Sequence, residues 1–315
     1  MTSITNQIKK KALSLGFFRV GAAPAESLDP AGLDSWLDHG YHGTMAFMKN
    51  HRDLRLDPRL LLPNAKSVVV AAMNYYKPVT LSPHPRKGRI SRYALGDDYH
   101  DVLRKRLKQL LVYIQEMLPG TRGRVCVDSA PILEKTWAVR AGIGQQGKHS
   151  NVLTRDYGSW FFLGEIIVDY QLDYDSPIDK DFCGTCTRCM DACPTGAIVE
   201  PYVVDSRRCI SYLTIELKAE NPLPPNMRKL MGNWIFGCDV CQQVCPWNQR
   251  FAQASDESAF SPRSHTLAPD LQDLASMDKD EFDGKYRQSP IKRAKYEGLK
   301  RNIQNALSNA ESHEE

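Results

Sequence analysis

The first half of the chain alternates between two spacings of apolar residues. Residues 4–15 carry apolar side chains at helical spacing up to Gly16, which predicts an amphipathic helix, and residues 17–23 (FFRVGAA) are typical of a strand. Residues 67–76 (SVVVAAMNYY) predict a buried strand, and residues 99–118 predict a long helix with leucines every three or four positions. This succession of helices and strands favours the α/β (α+β) class.

The same alternation continues up to residue 168. Residues 124–128 (RVCVD) and 160–168 predict strands, and residues 131–141 predict a helix that begins after Ser129. Cys126 lies between two valines of the first of these strands, where a small buried apolar side chain is the simpler interpretation. We therefore expect no metal at Cys126.

Two changes of composition divide the chain. Four aspartates between residues 173 and 181 precede the first cysteine motif. Beyond residue 255 the sequence turns polar before a last helix, with Ser289 as its cap and Pro290 at its first position. These changes predict three parts: an α/β domain at 1–172, a cysteine-bearing domain at 173–250 and a short helical segment at 251–315.

Composition and charge limit the classes of function. The chain has 315 residues with 42% hydrophobic content, enough for a sizeable core, and a formal net charge of +4. The longest apolar run, residues 68–73, is too short to span a bilayer, and the polar, basic start has no apolar stretch behind it. We therefore expect a cytoplasmic protein without a membrane partner, in which any contact with nucleic acid is local.

The cysteines indicate iron–sulfur chemistry. Nine cysteines in a reducing compartment favour metal ligation over disulfides. The first run has the bacterial ferredoxin spacing C-x2-C-x2-C-x3-C-P, formed by Cys183, Cys186, Cys189, Cys193 and Pro194. In that motif three cysteines bind one cubane and the fourth binds another, so a second cluster is expected.

The second run is incomplete. Three cysteines precede a second proline, but Ile235 occupies the position of the expected fourth, and Cys209 is the cysteine left to supply it. The crossover rule then predicts two ligand sets, Cys183, Cys186, Cys189 and Cys245 for the first [4Fe–4S] cluster and Cys193, Cys209, Cys238 and Cys241 for the second. A pair of four-cysteine zinc sites is the alternative, although zinc does not require the ferredoxin spacing.

Other motif-like patterns carry no predicted function. Gly142, Gly144 and Gly147 fit G-x-G-x-x-G, but a helix instead of a strand precedes them, and His149 stands where a phosphate-binding loop has Ser or Thr. Residues 98–100 (DYH) resemble the start of a D-x-H-x-x-G cobalt-binding loop, but the glycine is missing. The eight histidines form no paired ligand spacing, and we expect most of them at the surface.

Several longer runs carry a family resemblance: SRYALGDDYHDVLR, VDSAPILEKTWAVRAGIG, YGSWFFLGEI, CGTCTRCMDACPTGAI, RCISYLTIE and GCDVCQQVCPWN. They resemble epoxyqueuosine reductases, and the similarity covers residues 1 to about 250. The resemblance implies a cobalamin-dependent enzyme with two [4Fe–4S] clusters, related to reductive dehalogenases, that reduces epoxyqueuosine to queuosine at the wobble position of tRNA. It also implies a cobalamin-binding α/β (α+β) domain, a ferredoxin-like domain and an external low-potential electron donor.

The resemblance implies roles for individual residues. Asp128 corresponds to the family's proton donor, and burial would have to raise its pKa for it to act near neutral pH. The implied cobalamin contacts are Arg55, Ser91, Asp128, Lys148, Val152, Leu163, Ser211 and Asp239. Ser91 stands where some relatives carry cysteine, so a thiolate contact to cobalt is not expected. The alternatives are a helix cap by Asp128 or Ser129 and a surface ion pair for Arg55.

A basic concentration near the C-terminus is the candidate tRNA surface. Residues 285–301 hold seven lysines and arginines against one glutamate. The residues expected at phosphates are Lys218, Lys292, Arg293 and Lys295. The last three would project from a helix whose other face is apolar. The alternative is a solvated helix face balanced by the acidic tail of residues 311–315.

Two other functions stay open at this stage. A reductive dehalogenase shares cobalamin and two clusters, although such enzymes are typically exported and carry a twin-arginine signal. A non-enzymatic electron-transfer subunit would use the N-terminal domain only for docking, and a bound corrin would exclude it. We expect a monomer. By the resemblance, longer relatives append helical repeats, whereas this sequence is expected to hold about one such helix.

Overall fold

The computed structural model describes residues 3–312, with ten strands and fourteen α-helices in that range. The strands are β1 (Arg19–Pro24), β2 (Ser67–Asn74), β3 (Arg89–Ile90), β4 (Gly123–Cys126), β5 (Gln145–Gln146), β6 (Val152–Leu153), β7 (Phe161–Val168), β8 (Ile198–Glu200), β9 (Val203–Val204) and β10 (Trp234–Phe236). The helices are α1 (Ile4–Ser14), α2 (Ala31–Asp38), α3 (Ala46–Asn50), α4 (Arg52–Leu56), α5 (Tyr99–Met117), α6 (Glu134–Arg140), α7 (Arg188–Asp191), α8 (Ile210–Ile215), α9 (Pro225–Arg228), α10 (Val240–Gln243), α11 (Pro246–Phe251), α12 (Leu271–Ser276), α13 (Lys279–Lys285) and α14 (Lys295–Glu311). None of the helices described is both long and apolar enough to cross a membrane.

Four strands form the main sheet. Their order is β1-β2-β7-β4, and each neighbouring pair is antiparallel. An antiparallel sheet covered by helices is the α+β form of the predicted class. The predicted strands at 17–23, 67–76, 124–128 and 160–168 are confirmed, with ends that shift by at most two residues.

Strand β2 lies at the centre of the sheet domain and is buried along its whole length. Its alternate side chains reach two different cores, as the pleat requires. Val69 and Ala71 pack with residues of α1 and α5, whereas Val68 and Val70 pack with residues of α6. The apolar run is unbroken because neither face of this strand meets water.

Helix α6 starts later than predicted. It begins at Glu134 with Leu133 at the N-cap position, so residues 127–133 form a loop instead of the first turn of a helix. Asp128 in this loop has a φ of +48°, in the left-handed region. Neither Asp128 nor Ser129 caps the helix, so the capping alternative for these two residues is wrong.

The C-terminal segment contains more structure than the single helix predicted. The Ser289 hydroxyl accepts the N–H of Ile291 as a cap, but Pro290–Ala294 form a 3-10 helix. Lys295 then has a φ of +58°, which a right-handed helix cannot pass through, and α14 starts there. The prediction of one helix from Pro290 is therefore wrong. The apolar stripe itself is buried, at Ile291, Ala294, Gly298, Asn302 and Ala306.

The C-terminal helices share a core with the rest of the chain. Leu271 of α12 and Ile303 of α14 pack with Ile90 of β3 and Phe236 of β10. Strands β3 and β10 pair in parallel, which joins the sheet domain to the cysteine-bearing part at the same place. The change of composition near residue 250 therefore does not separate two cores.

Candidate active site

A cavity of about 1130 Å³ lies where the three parts of the chain meet. Its walls include Leu163 of the main sheet, Cys209 of the cysteine-bearing part and Arg293 of the C-terminal segment. Pockets for small molecules typically have volumes of about 300–1,000 Å³, so this cavity suits an unusually large ligand.

Asp128 stands in the wall of this cavity. Its Oδ2 accepts hydrogen bonds from the Tyr99 hydroxyl at 2.7 Å and from His100 Nε2 at 3.0 Å. Its backbone N–H donates to Oε1 of Glu134 at 2.5 Å. More than half of the Asp128 side chain, 55%, is exposed, so its carboxylate is accessible from the cavity.

His100 connects two carboxylates. Its Nδ1 lies 2.6 Å from Oδ1 of Asp98, the N-cap residue of α5, and its Nε2 faces Asp128. Burial alone would lower the pKa of His100, but the hydrogen bonds to the two carboxylates outweigh it and raise the pKa to about 9. The imidazole is therefore protonated at neutral pH, and both ring nitrogens donate.

The same contacts shift the pKa of Asp128 in the direction opposite to the one expected. Burial would raise its pKa, but hydrogen bonds from His100 and Tyr99 lower it below the usual value of 3.8. The expectation of a raised pKa is wrong for this arrangement, because the proton resides on His100 and Asp128 is the carboxylate beside it. The sequence showed part of this arrangement, because Asp98, Tyr99 and His100 are consecutive residues at the start of α5.

Two further carboxyl groups lie behind Asp128. Glu165 in β7 is fully buried, and neither of its oxygens has a hydrogen-bond partner of normal geometry in residues 3–312. Burial, and after it repulsion from Glu134, raises the pKa of Glu165 well above its usual value. Burial, and after it repulsion from Asp128, raises the pKa of Glu134 to about 8. Sequence analysis missed both glutamates, because each stands alone in the sequence and forms no motif.

Arg55 lines the cavity with only 8% of its surface exposed. Its Nε has no hydrogen-bond partner in the described part of the chain, and its guanidinium lies over the Phe47 ring, 5.7 Å from the centroid. Burial lowers the pKa of Arg55. The alternative of a surface ion pair is wrong, since the Arg55 guanidinium is buried, and its unpartnered donor is available to an acceptor on a ligand.

Ser91 and Asp239 form a buried pair at the cavity. The Ser91 hydroxyl donates to the Asp239 carboxylate, which also accepts the N–H of Arg92 at 2.9 Å. Ser91 belongs to the cavity wall, whereas Asp239 lies behind it. Asp239 therefore orients Ser91 and does not itself face the cavity.

Lys148 points away from the cavity, to the first cysteine loop. Its Nζ donates to the carbonyls of Gly184 at 2.7 Å and Cys186 at 3.0 Å, and its N–H lies 3.4 Å from Cys183 Sγ. Among the predicted cobalamin contacts, the cavity wall thus holds Arg55, Ser91, Asp128, Val152, Leu163 and Ser211, but neither Lys148 nor Asp239.

The eight motif cysteines fall into two groups in space. Cys183, Cys186, Cys189 and Cys245 line a smaller cavity of about 330 Å³. Cys193, Cys209, Cys238 and Cys241 line the large cavity. The grouping matches the partition expected from the crossover rule, which stays a prediction. No three Cys, His, Asp or Glu side chains of residues 3–312 converge at the spacing of a single bound ion.

One histidine belongs to both cavities. His149 is 5% exposed, lines both of them, and its Nε2 has no partner in residues 3–312. Burial lowers the pKa of His149 to about 4, so its ring is neutral at physiological pH. His149 and the partly buried His100 are thus exceptions to the expectation that most of the histidines lie at the surface.

Two of the four predicted tRNA residues reach the large cavity. Lys292 and Arg293 are exposed and belong to its wall. Lys292 Nζ lies 3.0 Å from Asp283, and Arg293 donates to Glu216 at 3.0 and 2.7 Å. Asp283 and Glu216 therefore supply the negative charges that pair with Lys292 and Arg293. The tail residues 313–315 lie outside the described part of the chain.

The other two predicted tRNA residues lie outside the cavity wall. Lys295 is exposed at the start of α14. Lys218 is exposed, and its Nζ lies 3.9 Å from Glu220. Both side chains are solvated and available to a partner.

Family models match two parts of the chain. Residues 55–129 match the model described as epoxyqueuosine reductase QueG, DUF1730. Residues 182–248 match the 4Fe-4S double cluster binding domain, which contains all eight motif cysteines. The chain therefore carries a double-cluster iron–sulfur domain, and the zinc alternative is wrong.

Curated relatives and solved structures agree with the family models. The epoxyqueuosine reductase of Cyclobacterium marinum is 48% identical over 95% of both chains, and that of Escherichia coli is 46% identical over 98% of this chain and 82% of its own. The structure described as epoxyqueuosine reductase with an epoxyqueuosine-modified tRNA-Tyr stem loop matches with a TM-score of 0.88 and 32% identity, over 97% of this chain and 81% of the other. The cavity, the double-cluster domain and identity over nearly the whole length together place this chain in the epoxyqueuosine reductase family.

Proposed function

We propose that this protein reduces epoxyqueuosine in tRNA to queuosine, with cobalamin as cofactor and electrons passed through two [4Fe–4S] clusters. The observation that carries the proposal is the large cavity, which brings Asp128, the unpartnered Arg55 and the second group of cysteines to one place. Family membership supplies the substrate. A tRNA substrate puts the reaction in the cytoplasm.

The residues of the cavity fit a corrin. Arg55 offers an unsatisfied buried donor, Ser91 and Ser211 offer hydroxyls, and Val152 and Leu163 offer apolar surface. These suit a large ligand with amide and phosphate oxygens around an apolar ring. When bound, reduced cobalamin supplies a strong nucleophile toward carbon.

The reaction requires protons as well as electrons. Opening an epoxide to an alkene consumes two electrons and two protons and releases water. The protonated His100 holds one proton beside Asp128, and both hydrogen bonds to the Asp128 carboxylate end on Oδ2. We assign His100 as the group that stores this proton and Asp128 as the residue that takes it from His100 Nε2 and passes it to the leaving oxygen, with solvent as the source of the second proton.

Electrons would enter at the first cluster and leave at the second. The first group of cysteines lines the smaller cavity, and the second group lines the large one, whose wall also holds Asp128. His149 lies in both walls. The second cluster is therefore the one expected to reduce the cofactor.

The tRNA would lie over the rim formed by Lys292 and Arg293. Both are paired with carboxylates on exposed sites, where such pairs contribute little and exchange readily for phosphates. The rim belongs to the same cavity as Asp128, so an anticodon held there can present its modified base to the acid.

The test is turnover of an epoxyqueuosine-containing stem loop by anaerobically purified protein, with dithionite as reductant. Product should form only with added cobalamin, and the corrin absorption spectrum should change on binding. Asp128→Asn should keep iron, sulfide and cobalamin but lose about 10²–10⁴ in kcat. No product from the cobalamin-loaded protein, or full activity of Asp128→Asn between pH 6 and 8, would contradict the proposal.

A further inference from the structure

The surface around the smaller cavity combines aromatic rings and positive charge. The cavity of about 330 Å³ is lined by the first group of cysteines and by Trp247, Phe251, Arg188 and Arg250. Arg188 and Arg250 are exposed. Arg155 is exposed as well and stacks over Phe182, another residue of this wall, 5.2 Å from the ring centroid.

These three arginines have no carboxylate partner within residues 3–312. Many other arginines of the chain do have one, such as Arg52 with Asp34 at 2.5 Å and Arg122 with Asp169 at 2.8 Å. At the smaller cavity, Arg250 instead lies over the Phe251 ring at 5.2 Å, and Arg188 makes no contact of this kind.

Two acids nearby are already engaged. Asp181 accepts the N–H of Cys183 at 2.8 Å, and Asp191 accepts the Thr187 hydroxyl at 2.7 Å. Both hydrogen bonds are local and hold the cysteine loop. Neither acid forms an ion pair with Arg155, Arg188 or Arg250, so the three guanidinium groups face solvent next to the site of the first cluster.

We propose that Arg155, Arg188 and Arg250, with the rings of Trp247 and Phe251, form the docking surface for an acidic one-electron carrier protein of the flavodoxin or ferredoxin class. The proposal rests on the proposed function, in which the clusters carry electrons to the large cavity. Opposite charges accelerate the encounter of two proteins, and a weak, transient contact is typical of redox partners.

The electron balance follows from this arrangement. Each encounter oxidises the carrier by one electron and reduces the first cluster by one electron. Two encounters supply the two electrons of one epoxide reduction. The small apolar area offered by Trp247 and Phe251 favours quick release of the carrier between encounters.

The alternative is that the arginines only compensate the negative charge of the thiolate-bound cluster. That role changes the cluster itself, so it affects reduction by every donor, including a small one. Docking affects reduction by the carrier protein alone. The two explanations therefore differ in one measurable comparison.

The experiment compares Arg188→Glu/Arg250→Glu with Lys105→Glu/Lys108→Glu. The control lysines are exposed on α5, and both variants change the net charge equally. Stopped-flow absorbance gives the second-order rate constant for cluster reduction by photoreduced flavodoxin, without tRNA, over a range of ionic strengths. Reduction by dithionite and binding of flavodoxin are measured in parallel.

We expect the arginine variant to lose tenfold or more in the flavodoxin rate constant at low salt, with weaker binding and a flatter salt dependence. Its reduction by dithionite, and the behaviour of the lysine control, should match the parent protein. An unchanged flavodoxin rate, or an equal loss with both reductants, would overturn the proposal.

If the charge reversal lowers the iron content, Arg188→Gln/Arg250→Gln is measured with the same criteria. Failure of the parent protein to reduce epoxyqueuosine with dithionite would count against the proposed function, and not against this surface.

Discussion

The side chain of Glu134 accepts the backbone N–H of Asp128 at 2.5 Å, and Asp128 adopts a left-handed φ of +48°. A non-glycine residue in this region carries strain that its surroundings must offset, and such residues concentrate at functional sites. Glu134 is the first residue of α6, so this contact fastens the Asp128 loop to a helix packed on the main sheet. Glu134 is therefore a positioning residue for Asp128.

Substitution of Glu134 tests this contact. Glu134→Ala removes the acceptor and should lower kcat by about 10²-fold, because displacement of a catalytic group by about 1 Å costs that much. Glu134→Gln keeps an acceptor oxygen and should retain most of the activity. Thr136→Ala, at an exposed position of the same helix, is the control. Equal losses in the Ala and Gln variants would show that the carboxyl group of Glu134 is needed for more than its acceptor oxygen.

The rate should depend on pH through His100. Its pKa is raised to about 9, so kcat should be level between pH 6 and 8 and should fall above about pH 9, as the imidazolium loses its proton. His100→Gln should be less active and should lose this alkaline limb. The sign for stability is the same, since the raised pKa contributes stability below the unfolded value near 6.5 that is lost as pH rises through 9. A rate that stays level up to pH 10 would remove His100 from proton storage.

The buried Glu165 should make the protein less stable as pH rises. Its folded pKa is raised, so the folded state binds the proton more tightly than the unfolded chain does, and stability falls as pH increases above the unfolded value near 4.5. Glu165→Gln removes this ionisation. The variant should match the parent in thermal midpoint at pH 5 and exceed it at pH 8.5, by anaerobic thermal denaturation. A variant that is less stable at both values would mean that the carboxyl makes a specific favourable contact.

The cluster assignment can be tested by counting iron. Cys209→Ser should remove the second cluster and leave about half of the iron and sulfide, because the first ligand set remains complete. Cys126→Ser is the matched control, since Cys126 is buried in β4 outside both cysteine groups, and it should keep all of the iron. Full iron in Cys209→Ser would refute the partition.

The basic rim should hold tRNA through phosphates. Changing Lys292, Arg293 and Lys295 to Ala should weaken binding and reduce the slope of log K against log salt by about 2, since each lost phosphate contact contributes roughly 0.7 to 0.9. Cobalamin binding should not change. The control carries Ala at three exposed lysines of α1 and α5, Lys10, Lys105 and Lys108. If both triple variants share one slope, tRNA is held elsewhere, and the region of Arg207, Arg208 and Lys218 is the next candidate.

Sequence by itself determined the features whose information is local. The period of apolar residues located the four sheet strands, because the residues that form one face of a strand or helix lie close together in the sequence. The spacing of the cysteines predicted a two-cluster domain, because a cubane is wrapped by a short run of chain. The cap at Ser289 was likewise visible, since capping involves residues only two or three positions apart.

The tertiary structure alone decided which distant groups meet. His100, Asp128 and Glu165 come from α5, from the loop after β4 and from β7, and no periodicity in the sequence joins them. Their meeting moves the proton from Asp128 to His100, because a pKa depends on the charges and burial around a group and not on its sequence neighbours. The interruption of the helix at Lys295 could not be predicted from the sequence for a related reason. Residues 290–294 pack against a core that includes β3 and β10, and this packing overrides the helical preference of the segment.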